Sequence, residues 1–387
     1  MTRRAVMLTL LATLIGAAAA RPVSTQTSLP ALVITAYNGG PPTAYTVPRT
    51  PWGDPDLQGV WSSDDATMPL SRPQTTGNRL YQTDEEFAAR AKQIENGVRA
   101  GENAVGSFRG DFARRAFRQT SLIVDPPDGR IPAFTPEAET RRAPRDRGTF
   151  GDGPFDWTTD FTLYDRCITR GIVGSALRVV YGNGNRIVQA PGMVAISYEM
   201  IHDTRVFYTD SRPHIDQRIR QYLGDSRARW DGDVLVVETT NLTDQTSIGL
   251  NGNGLRHSDK MTIVEQFKRV ANDILQYQIT VTDPVTYVKP FTISMPLTPL
   301  DGGVLLPYEC HEGNLAIKQS LGAERAEDKA LADDLAKGIK RARRPVQDGL
   351  GVGGQPIGDG RGRGAGPGGP GGAPGGRGGE QPPAVDN

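Results

Sequence analysis

The chain contains few of the residues that usually mark a metal centre, a membrane protein or a nucleic-acid-binding protein. It has two cysteines and four histidines, and its 44 basic residues are balanced by 44 acidic ones. No short spacing such as His-x-x-x-His suggests a metal site. Neither a basic stripe nor an aromatic ladder suggests binding to nucleic acid. Beyond residue 20, no segment is long and apolar enough to span a bilayer as a helix.

The two ends of the chain differ in composition from the rest. Arg3 and Arg4 precede an apolar run that ends in four alanines at Ala20. This pattern predicts a signal peptide over residues 1–20, cleaved near Ala20 after export by the Sec or the twin-arginine route. We therefore expect a periplasmic or secreted protein. Residues 345–387 are dominated by glycine and proline, and they predict a disordered tail that acts as a solvated spacer.

The two cysteines, Cys167 and Cys310, fit an exported protein. An oxidising compartment favours their pairing, so the sequence predicts one disulfide. Closing such a long loop would stabilise the fold by about 4–5 kcal/mol in the chain-entropy model. A catalytic thiol is the less favoured alternative.

Short apolar runs separated by turn signals predict a mainly β protein. After an extended arm over residues 21–56, strands are expected throughout residues 57–322. The predicted strands are 57–61, 121–124, 130–134, 186–189, 193–201, 204–209, 227–230, 233–239, 261–270, 273–282, 291–295 and 304–309. The pair 121–124 and 130–134 predicts a wide hairpin. Strands spaced this closely favour an antiparallel meander that forms a barrel-like, lipocalin-like core in a single domain.

Two helices are expected in addition to the strands. Thr83 and Glu86 form a capping box, which predicts a helix over residues 84–100 in an otherwise irregular N-terminal segment. An amphipathic pattern predicts a C-terminal helix over residues 323–344 that packs on the outside of the barrel.

The lengths of the connections predict where polar residues gather. In a meander, successive connections alternate between the two ends of the barrel. The tight turns are 202–203, 231–232 and 271–272, and the long loops are 210–226, 240–260 and 283–290. The long-loop end then receives His214, His257 and His311, and His202 is left at the closed end. Histidines on long loops at the mouth of a barrel indicate a functional site.

The candidate chemistry is general acid–base catalysis. His257 is the predicted general base, oriented by Asp259 or Glu265. Glu265 shares an otherwise apolar strand face with Ile263 and Phe267, so it should be buried, and a buried carboxylate is either paired with an arginine or functional. The possible arginine partners are Arg205, Arg227, Arg229 and Arg269.

The remaining candidate residues follow from the same placement. The predicted catalytic residues are His257, Glu265, His214, His311 and Asp259, and the predicted substrate-binding residues are Arg212, Arg227, Arg229, Tyr277 and Glu312. Arginines of this kind can hold a carboxylate or a sugar acid. Structural hydrogen bonds for His214 and surface solvation for the arginines are the alternatives. No cofactor is predicted, and a zinc ion held by His214, His257 and His311 is the minority alternative.

Several motifs suggest a family. They lie at residues 53–61 (GDPDLQGVW), 121–130 (SLIVDPPDGR), 211–214 (SRPH), 224–233 (GDSRARWDGD) and 308–314 (YECHEGN). On these motifs the chain resembles a large family of secreted, uncharacterised bacterial proteins. The resemblance covers nearly the whole chain between the signal peptide and the tail. It implies export and a shared architecture, and it implies no particular chemistry.

These observations favour an enzyme that acts on a small or oligomeric organic substrate as a hydrolase or lyase. The first alternative is a lipocalin-like binder of a small ligand, and the second is a structural envelope protein. An acid–base enzyme requires a histidine and a carboxylate within hydrogen-bonding distance in a wet pocket. A binder of the lipocalin kind requires a deep apolar lumen, and a structural protein requires neither.

Overall fold

The computed structural model describes residues 29–34, 44–103, 113–142, 155–179, 181–248 and 257–343. By its contacts the chain divides into two units, residues 1–31 and 32–387. In the first unit residues 29–31 are described, and they belong to no helix or strand. The predicted signal peptide and the predicted tail lie outside the described residues. The fold described below is that of the second unit.

The described part of the second unit contains ten strands and four α-helices. The strands are β1 Gly59–Ser62, β2 Ile123–Asp125, β3 Gly184–Ala190, β4 Met193–Tyr198, β5 Thr204–Tyr208, β6 Asp225–Asp231, β7 Val234–Thr240, β8 Thr262–Ala271, β9 Ile274–Thr282 and β10 Phe291–Pro299. The helices are α1 Asp84–Asn103, α2 Pro136–Arg142, α3 Gly171–Ala176 and α4 Ala316–Ala336. The prediction of a mainly β protein with a C-terminal helix is confirmed.

Nine of these strands close into a barrel. Their order is β1, β3, β4, β5, β6, β7, β8, β9 and β10, and β10 pairs back with β1 through Trp61 and Pro299. The short strand β2 pairs with the first part of β10. Closure of the sheet satisfies the backbone groups that an edge strand would leave unpaired. The barrel expected from the sequence is therefore formed.

One pair of strands interrupts the antiparallel pattern. β5 and β6 run parallel and are joined at a single residue pair, Tyr208 with Arg227. A connection between parallel strands must return to the end at which the first strand began, so residues 209–224 travel the length of the barrel. As a result, the connections 199–203, 241–261 and 283–290 share one end, which we call the loop end. The prediction that the turn at 202–203 lies with the hairpin turns 231–232 and 271–272 was wrong.

Two predicted strands have a different structure. The predicted hairpin of 121–124 with 130–134 does not form, because Ile123 pairs with Ile293 of β10 and residues 130–134 form no strand. The predicted strand at 304–309 is irregular. A 3₁₀ turn over Asp301–Gly303, with positive φ at its two glycines, ends the run of β10 and turns the chain away from the barrel.

The helix termini follow local hydrogen bonds. Thr83 Oγ1 accepts from the backbone of Glu86 at 3.3 Å, and the Glu86 carboxylate accepts from the backbone of Thr83 at 2.9 Å, so the predicted capping box is present. The C-terminal helix begins and ends seven or eight residues earlier than predicted. The Asn314 side chain accepts from Ala316 N at its start, and Gly338, with a φ of 76°, terminates it.

Side chains fill the interior of the barrel. Phe207, Val237, Ile263 and Phe267 are each exposed by 1% or less. The rings of Phe267 and Tyr277 stack at a centroid distance of 4.2 Å. None of the helices in the described ranges is both long and apolar enough to cross a bilayer.

The predicted disulfide is present. Cys167 and Cys310 are bonded, with their Cα atoms 5.7 Å apart. The bond joins the segment that precedes α3 to the irregular segment that follows β10, and both cysteines are half-buried. It therefore fixes one side of the loop end.

Candidate functional site

Glu265 lies inside the barrel and is fully buried. Its Oε1 accepts hydrogen bonds from Arg205 Nη1 at 2.9 Å and from Tyr277 Oη at 2.5 Å, and its Oε2 accepts from Arg205 Nη2 at 2.5 Å. Arg205 also donates to Ser226 Oγ and Thr239 Oγ1, each at 3.1 Å. The carboxylate is thus paired with one of the arginines that the sequence suggested, and the surrounding strands supply its remaining partners.

The ion pair of Arg205 and Glu265 determines which side chains inside the barrel are charged. Burial lowers the pKa of Arg205, but the charge and hydrogen bonds of Glu265, together with Tyr198 and Tyr277, outweigh burial and raise the pKa above its usual value. Burial, and then the charge of Glu265, raises the pKa of Tyr277 well above its usual value. Tyr277 therefore stays neutral and Arg205 stays charged at physiological pH. Glu265 and Tyr277 are 0% and 2% exposed, so their contacts in this structure are with the protein interior.

His257 is also enclosed, with 1% of its surface exposed. Its Nε2 lies 2.5 Å from Thr246 Oγ1 and its Nδ1 lies 2.9 Å from the carbonyl oxygen of Ser258. A carbonyl can only accept, so Nδ1 carries the hydrogen and the Thr246 hydroxyl donates to Nε2. Burial lowers the pKa of His257, which favours this neutral form. In this structure both ring nitrogens of the predicted base are engaged in fixing the loop.

The other two histidines of the predicted site have separate surroundings. His214 Nδ1 lies 2.7 Å from Asp225 Oδ2, at the start of β6. His311 and Glu312 are exposed and follow the disulfide. Within the described residues no group of three or more His, Cys, Asp or Glu side chains could hold a metal ion.

Each predicted substrate-binding arginine has a carboxylate partner nearby. The pairs are Arg212 with Asp210, Arg227 with Asp225, and Arg229 with Glu238. Arg212 also lies over the ring of Tyr208, 3.8 Å from its centroid. Arg227 Nε donates to the carbonyl of Pro213 at 3.0 Å and so holds the segment that carries His214.

The loop end contains a pocket that the sequence did not indicate. Its volume is about 560 Å³, and seven of its nine lining residues are polar. These polar residues are Thr169, Asp203, Arg220, Gln221, Tyr222, Thr243 and Gln245. Four segments of the chain meet here: the turn before α3, the residue before β5, the long connection before β6 and the loop after β7. We call this space the Asp203 pocket.

Asp203 is the carboxylate of this pocket. It is half-buried, and its Oδ2 accepts a hydrogen bond from Thr169 Oγ1 at 2.6 Å. Burial raises the pKa of Asp203, and the Thr169 hydrogen bond and the charges of His202 and Arg205 offset only part of that effect. A carboxyl group with a raised pKa in a cleft is a candidate for binding or proton transfer.

Backbone bonds hold the opposite wall of the Asp203 pocket in place. Gln221 N donates to the carbonyl of Asn241 at 2.9 Å, and Thr243 N donates to the carbonyl of Gln221 at 3.1 Å. Arg220 Nη1 donates to the carbonyl of Asp259 at 2.6 Å, and its Nη2 lies 3.4 Å from the Asp259 carboxylate. Asp259, which was predicted to orient His257, contacts Arg220 of the pocket instead.

Unusual backbone conformations surround the Asp203 pocket. Ile201, His202 and Asn241 have φ values of 65°, 55° and 59°, in the left-handed region. Such a conformation is rare for a β-branched residue such as Ile201 and costs on the order of 1–3 kcal/mol. Strained residues persist where the surrounding structure holds them, and they concentrate at binding and catalytic sites. These residues directly precede Asp203 and Leu242 in the chain.

Comparisons of the chain with models of protein families, with curated proteins and with solved structures gave no match.

Proposed function

We propose that this protein binds a small polyhydroxylated ligand, such as a sugar, in the Asp203 pocket. The observation that carries the proposal is the lining of the pocket, where seven of the nine residues around a space of about 560 Å³ are polar. This volume falls within the range of small-molecule sites, about 300–1,000 Å³.

The polar groups match the hydrogen-bonding pattern of a sugar. A sugar hydroxyl donates one hydrogen bond and accepts others, so it needs both kinds of partner. The Asp203 carboxylate accepts, the Arg220 guanidinium donates, and the amides of Gln221 and Gln245 do both. Tyr222 is 36% exposed and offers a ring against which the apolar face of a sugar can pack. An apolar ligand would displace water from these groups without replacing its hydrogen bonds, which is energetically costly.

The raised pKa of Asp203 favours a second candidate, in which the same pocket is an enzyme and Asp203 is its general acid. This candidate keeps the hydrolase or lyase hypothesis and replaces His257 by Asp203. Hydrolysis of a glycosidic bond ordinarily uses two carboxyl groups that flank the bond. Among the described residues that line the pocket, Asp203 is the one acidic side chain. Binding is therefore better supported than glycoside hydrolysis.

The proposed compartment is the periplasm or the exterior of the cell. The disulfide between Cys167 and Cys310 supports it, because structural disulfides persist in oxidising compartments. The signal-peptide pattern at residues 1–20 adds to this support.

The test is a titration of the full exported chain with a panel of mono- and disaccharides, followed by isothermal calorimetry. We expect saturable binding of at least one member of the panel. Asp203→Asn and Thr243→Val should weaken that binding by about 10-fold or more, since each removes a hydrogen bond to the ligand. Asp231→Asn, on an exposed hairpin at the opposite end of the barrel, is the matched control and should bind as the native chain does.

The proposal is rejected if no sugar binds, or if the variants at positions 203 and 243 bind as tightly as the control. Release of product from the bound sugar, abolished by Asp203→Asn, would favour the enzyme over the binding protein.

A further inference from the structure

Arg170 is a buried guanidinium without a counter-ion among the described residues. Its side chain is 1% exposed. Among the described residues, Nη2 donates one hydrogen bond, to the carbonyl of Leu177 at 3.5 Å, and Nε has no hydrogen-bond partner. No carboxylate of the described residues lies within ion-pair distance, and burial lowers its pKa to about 10. A buried charge in this state is energetically expensive, so the fold retains it at a cost in stability.

The other two buried arginines of the described residues have well-formed partners. Arg205 has the carboxylate of Glu265 at 2.5 Å. Arg72 donates from Nη1 to the carbonyls of Asn78 and Pro127, at 3.0 and 2.6 Å. Arg170 therefore stands out as the buried arginine for which the described protein supplies neither a carboxylate nor a well-formed pair of hydrogen bonds.

Three tyrosines lie close enough to Arg170 to interact with its charge. They are Tyr164, Tyr181 and Tyr308. The hydroxyls of Tyr164 and Tyr308 lie 3.4 Å apart, and the same hydrogen-bonding group includes Tyr181. Burial raises the pKa of both Tyr164 and Tyr308, so their hydroxyls remain protonated and can donate. Several donors and one positive charge are thus gathered in one place.

The group reaches the surface through its aromatic rings. Tyr181 is 45% exposed. Its ring and that of Tyr308 are nearly parallel, with an interplanar angle of 24° and centroids 6.4 Å apart. The rings of His202 and Tyr308 meet edge to face with their centroids 6.2 Å apart, and the disulfide at Cys310 fixes the segment that carries Tyr308. Tyr181 and Tyr308 therefore form an aromatic surface that carries phenolic hydroxyls and lies within electrostatic range of Arg170, and we call it the tyrosine platform.

We propose that the tyrosine platform and the neighbouring Arg170 form an anion site that takes the carboxylate of a small ring-bearing acid. The carboxylate would accept hydrogen bonds from the phenolic hydroxyls and neutralise the Arg170 charge, while the ring of the ligand packs on Tyr181 and Tyr308. A cationic ligand is disfavoured in spite of the aromatic rings, because Arg170 makes the local potential positive. Aromatic acids and sugar acids share the required chemistry. The site does not depend on the sugar ligand of the Asp203 pocket.

The first experiment measures binding to the full chain by calorimetry and by thermal shift. Benzoate represents the aromatic acids and glucuronate the sugar acids, with benzamide and glucose as their neutral counterparts. We expect at least one acid to bind saturably and at least 10-fold more tightly than its counterpart.

Tyr308→Phe should weaken that binding by about 10-fold. Tyr81→Phe, an exposed tyrosine outside the platform, is the matched control and should have no effect. Asp203→Asn should leave benzoate binding unchanged, which separates this site from the sugar pocket.

The second experiment uses Arg170→Met, which keeps the size of the side chain and removes the charge. If Arg170 is retained for an anion, this variant should be at least as stable as the native chain and should lose the thermal shift caused by the acid. If Arg170 is a purely structural residue, Arg170→Met should be clearly less stable. Should Arg170→Met fail to fold, the Tyr308→Phe titration decides. Absence of acid binding to the native chain, or equal binding by native and Tyr308→Phe chains, overturns the proposal.

Discussion

The side chains of Arg205 and Glu265 bind each other side by side at the centre of the barrel, through two hydrogen bonds of 2.9 and 2.5 Å. Arg205 belongs to β5 and Glu265 to β8, and neither side chain is exposed by more than 3%. Removal of either partner leaves a buried charge, and its cost far exceeds the net contribution of the intact pair.

We therefore expect Arg205→Met to lower the free energy of unfolding by about 3–5 kcal/mol in urea titrations. The double variant Arg205→Met with Glu265→Leu should recover most of the loss, because it leaves no unpaired charge. Arg229→Ala breaks a pair that is 39–47% exposed and should cost about 1 kcal/mol or less. A loss below 1 kcal/mol for the Arg205 variant would contradict the assignment of this pair as a structural element.

Replacement of both cysteines by serine should lower the free energy of unfolding by about 4–5 kcal/mol, since the disulfide closes a loop with a sequence separation of 143 residues. Purified protein that is unfolded and alkylated without reductant should contain no free thiol. Labelling of Cys167 or Cys310 in that experiment would show that the bond does not form in the native chain.

Stability should fall when the pH drops below about 6.5, in part because of His257. Burial lowers the pKa of this histidine in the folded chain below its ordinary value of 6.5. Below that pH His257 takes up a proton in the unfolded chain but stays neutral in the folded chain. The stabilisation present at neutral pH is therefore lost progressively as the pH falls towards the folded-state pKa. Urea titrations at a series of pH values should show a smaller slope over this range for His257→Gln. The exposed His311→Gln should keep the native slope, and identical slopes for all three chains would exclude this role.

His202→Gly should stabilise the protein by about 0.5–1 kcal/mol. His202 is exposed and adopts a φ of 55°, a conformation that costs a residue with a Cβ about 1–2 kcal/mol, while glycine adopts it freely. Part of the gain is lost to the greater chain entropy of glycine when unfolded. His311→Gly is the control: it is exposed and has no positive φ, so it should lower the melting temperature. A lower melting temperature for His202→Gly would mean that contacts of the ring with Tyr308 outweigh the strain.

Strands joined by tight turns could be predicted from the sequence to within one to three residues. β6 and β7 flank the Asp231-Gly232 turn, and β8 and β9 alternate apolar and polar faces, so short-range signals determine both hairpins. The parallel pairing of β5 with β6 could not be predicted, because the connection between them carries no sign of its direction. That one misassignment put His202 at the wrong end of the barrel.

The candidate site was harder to predict than the fold. Glu265 was expected to be buried, but four arginines were possible partners. Arg205 shares the inward face of β5 with Phe207, and the alternation of this strand was too weak a signal to select Arg205 from the four. The Asp203 pocket joins four distant segments, and each of its residues is ordinary in its own sequence context. His257 looked functional in the sequence, because a loop histidine close to a serine and an aspartate suggests catalysis. In the structure it is buried, and both ring nitrogens bind groups of the loop itself.

The single residue pair between β5 and β6 makes this junction the seam of the rolled sheet. Backbone hydrogen bonds hold every other junction of the barrel at two or more positions. At the seam, the side chain of Arg205 supplies additional hydrogen bonds between strands, since it reaches from β5 to Ser226 on β6 and Thr239 on β7. A buried side chain thus connects the strands at the junction that has the fewest backbone pairs. Local opening of the barrel that admits solvent should therefore begin at this junction.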